Sequence, residues 1–258
     1  MTAASASAPP RSAPHALSTL GVVLVAAGRG ERLGAGRPKA FVELGDRTLI
    51  EHCISTVTAL PGGGHLVVVV PEALASEALA LVAAATPGGS AWEVSVTPGG
   101  RERHESVRFG LDALPDQVDV VLVHDAARPL APAALFERVA AAVRLTGDSV
   151  IPAVPVPDTL KRVSDDDVVH ETVDRAPLVA VQTPQGFPRE QLAAAHDRLG
   201  SAELSAAGNE PTDDAEVVQR AGGTVRTVAG DIFAHKLTTQ GDLVLLTALL
   251  GSQAGDPR

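Results

Sequence analysis

Aromatic and sulfur-bearing side chains are scarce in this 258-residue chain: one Trp, five Phe, no Tyr, one Met and one Cys. Hydrophobic residues still make up 45%, so Val, Leu and Ala must fill the core. A single cysteine, Cys53, excludes a disulfide framework and a cysteine zinc cluster. It lies within a helical pattern and reads as a small core residue. No apolar run reaches the ~18 residues of a membrane span. The formal net charge of −10 argues against general nucleic-acid binding and gives no hint of a membrane surface. Residues 1–17, rich in Ala, Ser and Pro, read as a disordered tail without the apolar core of a secretory signal. The expectation is a cytoplasmic protein with one large domain over residues 18–251 and a flexible end at 252–258.

Against this acidic background, one loop is basic. An apolar run to Val25 reads as a buried parallel strand, and Ala26-Ala27-Gly28-Arg29-Gly30-Glu31-Arg32 follows, then Arg37-Pro38-Lys39. Glycines let backbone N–H groups approach an anion, and the basic side chains add charge to the same loop, which suits a triphosphate. A Walker A loop is excluded because Lys39 stands between Pro38 and Ala40. A dinucleotide fingerprint is excluded because no glycine follows Gly30 at the third position. The next strand also starts roughly twice as far on as that fingerprint expects.

Strand-like runs recur near 20–25, 66–70, 92–97, 118–123, 149–154 and 224–229. Helical patterns alternate with them near 48–59, 72–85, 103–114 and 132–145. This is the α/β pattern of a parallel sheet with helices on both faces, where ligands bind at the carboxyl ends of strands. The Gly28 loop, Gly99-Gly100, His124-Asp125 and the segment after Asp231 all fall at such ends. Residues 155–185 break the alternation with prolines and short β-type stretches, and read as an extended arm whose edges need covering by a second subunit. Asp165-Asp166-Asp167 within it reads as a solvated turn between two short strands rather than a metal site.

Two further segments carry chemistry. Asp125 ends a fully apolar strand, where it can cap the next helix or coordinate Mg²⁺ together with nucleotide phosphates. Arg128 can bind phosphate or hold Asp125 in place. After Gly99-Gly100, Ser106 supplies a hydroxyl near backbone that a base or ribose can approach.

These pieces, with Arg103, Asp158-Thr159-Leu160-Lys161, Thr172-Val173-Asp174-Arg175, Gln182-Thr183-Pro184-Gln185, Thr212-Asp213-Asp214-Ala215 and Lys236-Leu237-Thr238, occur in order over about residues 20–250. Together they resemble the cytidylyltransferases of the methylerythritol phosphate pathway. The resemblance implies a Rossmann-like nucleotidyltransferase fold, with a mainly parallel twisted sheet flanked by helices and a projecting β-arm that clasps a homodimer. It implies a nucleotide site at Ala26, Ala27, Gly28, Gly30, Gly100, Arg103, Ser106 and Ala126, and catalytic cations at Arg32, Lys39 and Lys236. It assigns Mg²⁺ to Asp125, and methylerythritol phosphate to Thr159, Arg175, Thr183 and Arg128, with the arm serving the neighbouring subunit. The implied chemistry is in-line attack by the substrate phosphate on the α-phosphorus of CTP. A phosphate monoester is already a nucleophile, so catalysis rests on positioning and charge neutralisation.

One departure stands out. The family often shows Asn-Ile-Lys where this chain has Ala234-His235-Lys236, so His235 is either a surface residue or a substitute polar contact. Asp231 is a weaker candidate for a second metal contact. The rivals are a ribitol-5-phosphate cytidylyltransferase, disfavoured by Ala127 and the arm sequence, and a guanylyl- or uridylyltransferase, disfavoured by Gly99-Gly100 and Ser106. A non-catalytic nucleotide-binding regulator is disfavoured by intact Lys39, Asp125, Arg175 and Lys236.

Overall fold

The computed structural model describes residues 19–28, 36–199 and 210–254. The tail expected over residues 1–17, and the expected site residues Gly30 and Arg32, lie outside them.

Valine-rich runs buried on both faces form the centre of the sheet, as parallel strands require. They are β1 (Thr19–Val25), β4 (Gly64–Val70) and β6 (Val118–Asp125). β1 pairs in parallel with β4 on one side and β6 on the other, and β4 pairs with β5 (Trp92–Pro98). Two minor strands, β2 (Glu43–Leu44) and β3 (Arg47–Thr48), form a small hairpin between β1 and β4. Beyond β6 the sheet continues to β7 (Ser149–Pro155), which pairs in parallel with β12 (Val225–Ala229). Between β6 and β7 lies β11 (Gln185–Pro188), antiparallel to both.

Helix starts follow local capping chemistry. α1 (Leu49–Thr58) opens on a capping box between Thr48 and Glu51, and α3 (Arg103–Asp112) on one between Glu102 and Glu105. α2 spans Ala75–Ala85, and α4 (Ala133–Thr146) closes on Gly147 at φ 70°. α5 (Arg189–Leu199), α6 (Asp214–Arg220) and α7 (Gln240–Ala254) complete the described helices. α7 runs past the expected domain end at residue 251.

Alternate residues of the same strands feed two cores, one per face of the sheet. Val22, Leu24, Val68 and Leu122 pack with Ile54 of α1 and Phe136 of α4. Val23, Val69, Val121 and Val123 pack with Val107 of α3, Leu192 of α5 and Val218 of α6. A Cβ on Gly110 would lie 2.4 Å from Val23 Cγ1, so this glycine lets α3 sit close against β1. A third cluster, with Leu44, Leu130, Leu237 and Leu246, seats α7.

The arm is shorter than the expected 155–185. β8 (Leu160–Val163) and β9 (Val169–Val173) form a separate antiparallel pair. β10 (Val179–Val181) returns to the main sheet beside β7, because alternating valines there meet Ala153 and Pro155. The triple-Asp run is the turn between β8 and β9, with Asp167 at φ 62° and a Ser164–Val168 backbone bond.

Candidate functional site

A cavity of about 420 Å³ opens at the carboxyl ends of β1, β5 and β6. Ala26, Ala27, Gly28, Lys39, Gly100, Arg103, Ser106, Asp125, Ala126 and Lys236 line it. Ten expected positions, drawn from five separate stretches of sequence, therefore meet in one place. The sheet register accounts for much of this: Val25 lies beside Asp125, with Ala126 N donating to Val25 O at 3.0 Å. Ala26 N donates to Val69 O and Gly99 N to Val70 O, both at 2.8 Å, which fixes the three strand ends to one another.

The small residues of the cavity are demanded by the protein itself. A Cβ on Gly99 would lie 2.4 Å from Ala27 Cβ, and one on Gly100 would lie 2.4 Å from Glu105 Cβ. Ser106 is buried; its hydroxyl accepts from Gly100 N and donates to Glu102 O, each at 3.1 Å. It thus shapes the Gly99-Gly100 turn.

Asp125 is the electrostatic centre. Lys236 Nζ donates to its Oδ2 at 2.7 Å, and Arg103 Nε and Nη2 donate to Oδ1 at 3.3 and 3.2 Å. Burial pushes this carboxyl upward, but the Arg103 and Lys236 charges outweigh it and hold it below the ordinary carboxylate range. Asp125 is therefore ionised near neutral pH. It does not cap the next helix, since α4 begins after Pro132 with no side-chain cap.

Beneath Asp125 lies a hydrogen-bonded chain. Asp125 N donates to Thr183 Oγ1 at 3.1 Å, and Thr183 Oγ1 is 3.0 Å from His124 Nδ1. His124 Nε2 is 3.2 Å from Arg128 O, which only accepts, so Nε2 carries the proton and Nδ1 accepts from Thr183. Burial pulls the His124 pKa down to about 4, so the ring is neutral, and it is wholly enclosed. Hence this Thr–His pair supports the strand end and does not reach the cavity. The Arg128 guanidinium, also buried, donates to Ala234 O at 2.6 Å and Val181 O at 3.2 Å. Lys39 Nζ donates to Leu237 O, and Leu237 N to Ala127 O, both at 2.8 Å. Arg128, Lys39 and Ala127 thereby clamp the segment that presents Lys236.

The remaining expected residues are elsewhere. Thr183 and Arg128 are behind the cavity wall. Thr159 is exposed at the base of the arm. Arg175, whose Nη1 donates to Pro157 O, lines a separate depression with Pro155, Leu178 and Thr227. His235 is 2.8 Å from Asp242 Oδ1, and Asp231 Oδ1 accepts from Phe233 N, so both are engaged in local capping. Two residues named in the sequence motifs carry no assigned role there. Gln182 bridges to Asp231 through Nε2→O at 2.8 Å and N→Oε1 at 2.9 Å. Asp214 pairs with Arg103 at 2.7 Å. Adjacent acids at 213 and 214 were the available signal: Asp213 caps α6 by accepting from Glu216 N, which leaves Asp214 to face inward.

Residues 20–252 match the family described as IspD, 2-C-methyl-D-erythritol 4-phosphate cytidylyltransferase. The chain belongs to this family. It is 44% identical over 225 residues to the 2-C-methyl-D-erythritol 4-phosphate cytidylyltransferase of Rhodococcus jostii, covering 87% of this chain and 92% of that one. It is 50% identical over 236 residues to the bifunctional enzyme IspD/IspF of Clavibacter michiganensis, where the match takes 92% of this chain but spans only 55% of that relative. Among solved structures, 4-diphosphocytidyl-2C-methyl-D-erythritol synthase of Anaerococcus prevotii superposes with a TM-score of 0.75 at 27% identity, covering 91% of this chain and 96% of that one. Membership in the IspD family makes the chain a nucleotidyltransferase of the α/β type. It favours methylerythritol phosphate over ribitol phosphate as acceptor, and an enzyme over a regulator. Among the described residues, no helix is long and apolar enough to cross a membrane.

Proposed function

We propose that the cavity at the β1, β5 and β6 ends binds CTP with Mg²⁺ and that transfer of the cytidylyl group to 2-C-methyl-D-erythritol 4-phosphate takes place there, releasing pyrophosphate. The observation that carries this reading is the convergence of Lys39, Arg103, Lys236 and an ionised Asp125 beneath a wall of small residues. The rigid Gly99-Gly100 turn offers backbone groups to the base. Lys236 and Lys39 stand where negative charge spreads over the α-phosphate and the leaving group; fixed cations there stabilise the transition state more than the ground state. No side-chain nucleophile is needed, which agrees with the enclosure of His124.

Asp125 suits Mg²⁺. It supplies a hard, ionised oxygen donor at the cavity wall, and a nucleotide-bound Mg²⁺ takes one or two carboxylates with phosphate oxygens. When bound, the ion would offset phosphate charge. The catalytic role of Arg32 and the nucleotide contact of Gly30 are part of the same proposal.

Thr159 and Arg175 lie off this chain's own cavity, and the arm exposes Val163, Val168 and Val169. A homodimer in which each arm covers its partner and completes the partner's acceptor site accounts for both facts. A single buried free thiol accords with a cytoplasmic setting. Subunit complementation tests the arrangement. Lys39→Ala and Arg175→Ala proteins are each expected to be nearly inactive. After mixing and reassortment, activity should return to roughly a quarter of the wild-type level, because half the dimers regain one intact site. Failure to regain activity, with exchange verified, would place the arm in its own subunit's site.

A further inference from the structure

Arg103 is shared unequally between two carboxylates. Its Nη1 lies 2.7 Å from Asp214 Oδ2, whereas Nε and Nη2 approach Asp125 Oδ1 only to 3.3 and 3.2 Å. Asp214 is completely buried at the start of α6, in a wall formed with α5, and His196 Nε2 stands 3.7 Å from its other oxygen, beyond hydrogen-bond range. The guanidinium thus spans the two acids: it lines the cavity and hydrogen-bonds Asp125, while its shortest ion-pair contact is to Asp214, which is wholly buried behind it. Among the described residues, Asp125 and Asp214 are the two acids paired with Arg103, so removing Asp214 would free the guanidinium to close on Asp125 as a short, two-pronged pair, the geometry that Arg–carboxylate contacts favour.

We propose that Asp214 is a positioning residue: by holding Arg103, it keeps the Asp125 carboxylate available to a metal–nucleotide complex. This rests on the reading that Asp125 takes the metal. His196 backs Asp214 from α5. The effect is transmitted through Arg103, since Asp214 itself does not line the cavity.

Mn²⁺ is a spectroscopic probe of the site that needs no turnover. Its binding in the presence of saturating CTP is followed by the loss of the free-ion signal in electron paramagnetic resonance, for wild type, the single variant Asp214→Asn, an Arg103→Met reference and the Arg103→Met/Asp214→Asn double variant. The single variant is expected to raise the Mn²⁺ half-saturation roughly tenfold, as for coupled members of one ion-pair network. On the Arg103→Met background, which has no guanidinium to close on Asp125, adding Asp214→Asn should leave the half-saturation at the Arg103→Met value. If the single variant does not fold, Asp214→Glu carries the same comparison, with a smaller shift that Arg103→Met also cancels. A merely structural role would lower the unfolding temperature without moving the half-saturation, and that result overturns the proposal. So does a further rise when Asp214→Asn is added to Arg103→Met. A wild-type protein that takes up no Mn²⁺ with CTP would overturn the reading of Asp125 and the proposal together; normal wild-type uptake with an unshifted single variant overturns the proposal alone.

Discussion

Replacing Asp125 by Asn should move CTP binding in opposite directions with and without magnesium. In the structure its carboxylate neutralises Lys236 at 2.7 Å and Arg103 at 3.2 Å. Without a metal, a triphosphate entering the cavity competes with Asp125 for these cations and is repelled by it. A pair of unit charges at 4 Å contributes about 4 kcal/mol at an effective dielectric of 20. The Lys236 side chain is 44% exposed, so solvent screens much of that, and we take about a third, ~1.4 kcal/mol, or roughly tenfold in Kd. Calorimetric titration with chelator present should therefore show CTP binding about tenfold tighter to the variant. With Mg²⁺ the order reverses: wild-type affinity should rise on adding the ion, and the variant should be indifferent to it. Turnover should fall by roughly a hundredfold or more, in line with losing one preorganised charge contact. The fold should survive, because Arg103 keeps Asp214 and Lys236 reaches water. A variant that binds metal-free CTP more weakly than wild type, while still responding to Mg²⁺, would refute the reasoning.

Other outcomes follow from the same geometry. Lys39→Ala should abolish measurable turnover yet leave a folded protein, checked by circular dichroism; since Lys39 also holds Leu237 O, a modest fall in unfolding temperature is expected. Arg175→Ala should raise the KM for the sugar phosphate at least tenfold and leave CTP affinity within about twofold, given a lost charge-assisted bond of ~1.5–3 kcal/mol; weakened CTP binding alone would contradict the arm assignment. His124 links stability to acid. Its folded pKa of about 4 lies below the ordinary 6.5, so between these values the unfolded chain takes up a proton that the folded one refuses. The contribution is complete above pH 6.5 and is lost as pH falls toward 4, by up to about 3 kcal/mol. Urea unfolding of the wild type should show this loss, and a His124→Gln variant should not. Finally, Gly110→Val should destabilise strongly, by ~3 kcal/mol or more, because even a Cβ there lies 2.4 Å from Val23.

The sequence was most legible where one physical requirement dominated. Valine runs buried on both faces can only be central parallel strands, and β1, β4 and β6 are where the periodicity puts them. Strand ends in an α/β sheet meet, so Lys39, Gly100 and Asp125 were expected together and are together. Less legible were elements whose reason is tertiary. β11 spans four residues and is a strand only because β6 and β7 flank it, antiparallel to both. The helices α5, α6 and α7 went unread because α5 is largely polar, α6 spans only seven residues, and α7 is apolar around much of its circumference. Site residues divide likewise. Thr183 and Arg128 have the chemistry of phosphate ligands, and only the fold shows Thr183 Oγ1 bonded to His124, and Arg128 Nη1 and Nη2 to Ala234 and Val181, behind the wall. Asp214 gave no local sign of its partner because Arg103 is more than a hundred residues distant, and the pair exists only once α3 and α6 lie on the same face of the sheet.

The most direct test of the account is pyrophosphate release by the purified protein with CTP and Mg²⁺, offered 2-C-methyl-D-erythritol 4-phosphate or D-ribitol 5-phosphate. The account predicts release with the branched tetritol phosphate, none with ribitol phosphate, and loss of release in the Asp125→Asn protein. Release with ribitol phosphate alone would contradict the assigned acceptor, and release with neither, despite CTP binding, would contradict the cavity's role as a catalytic site.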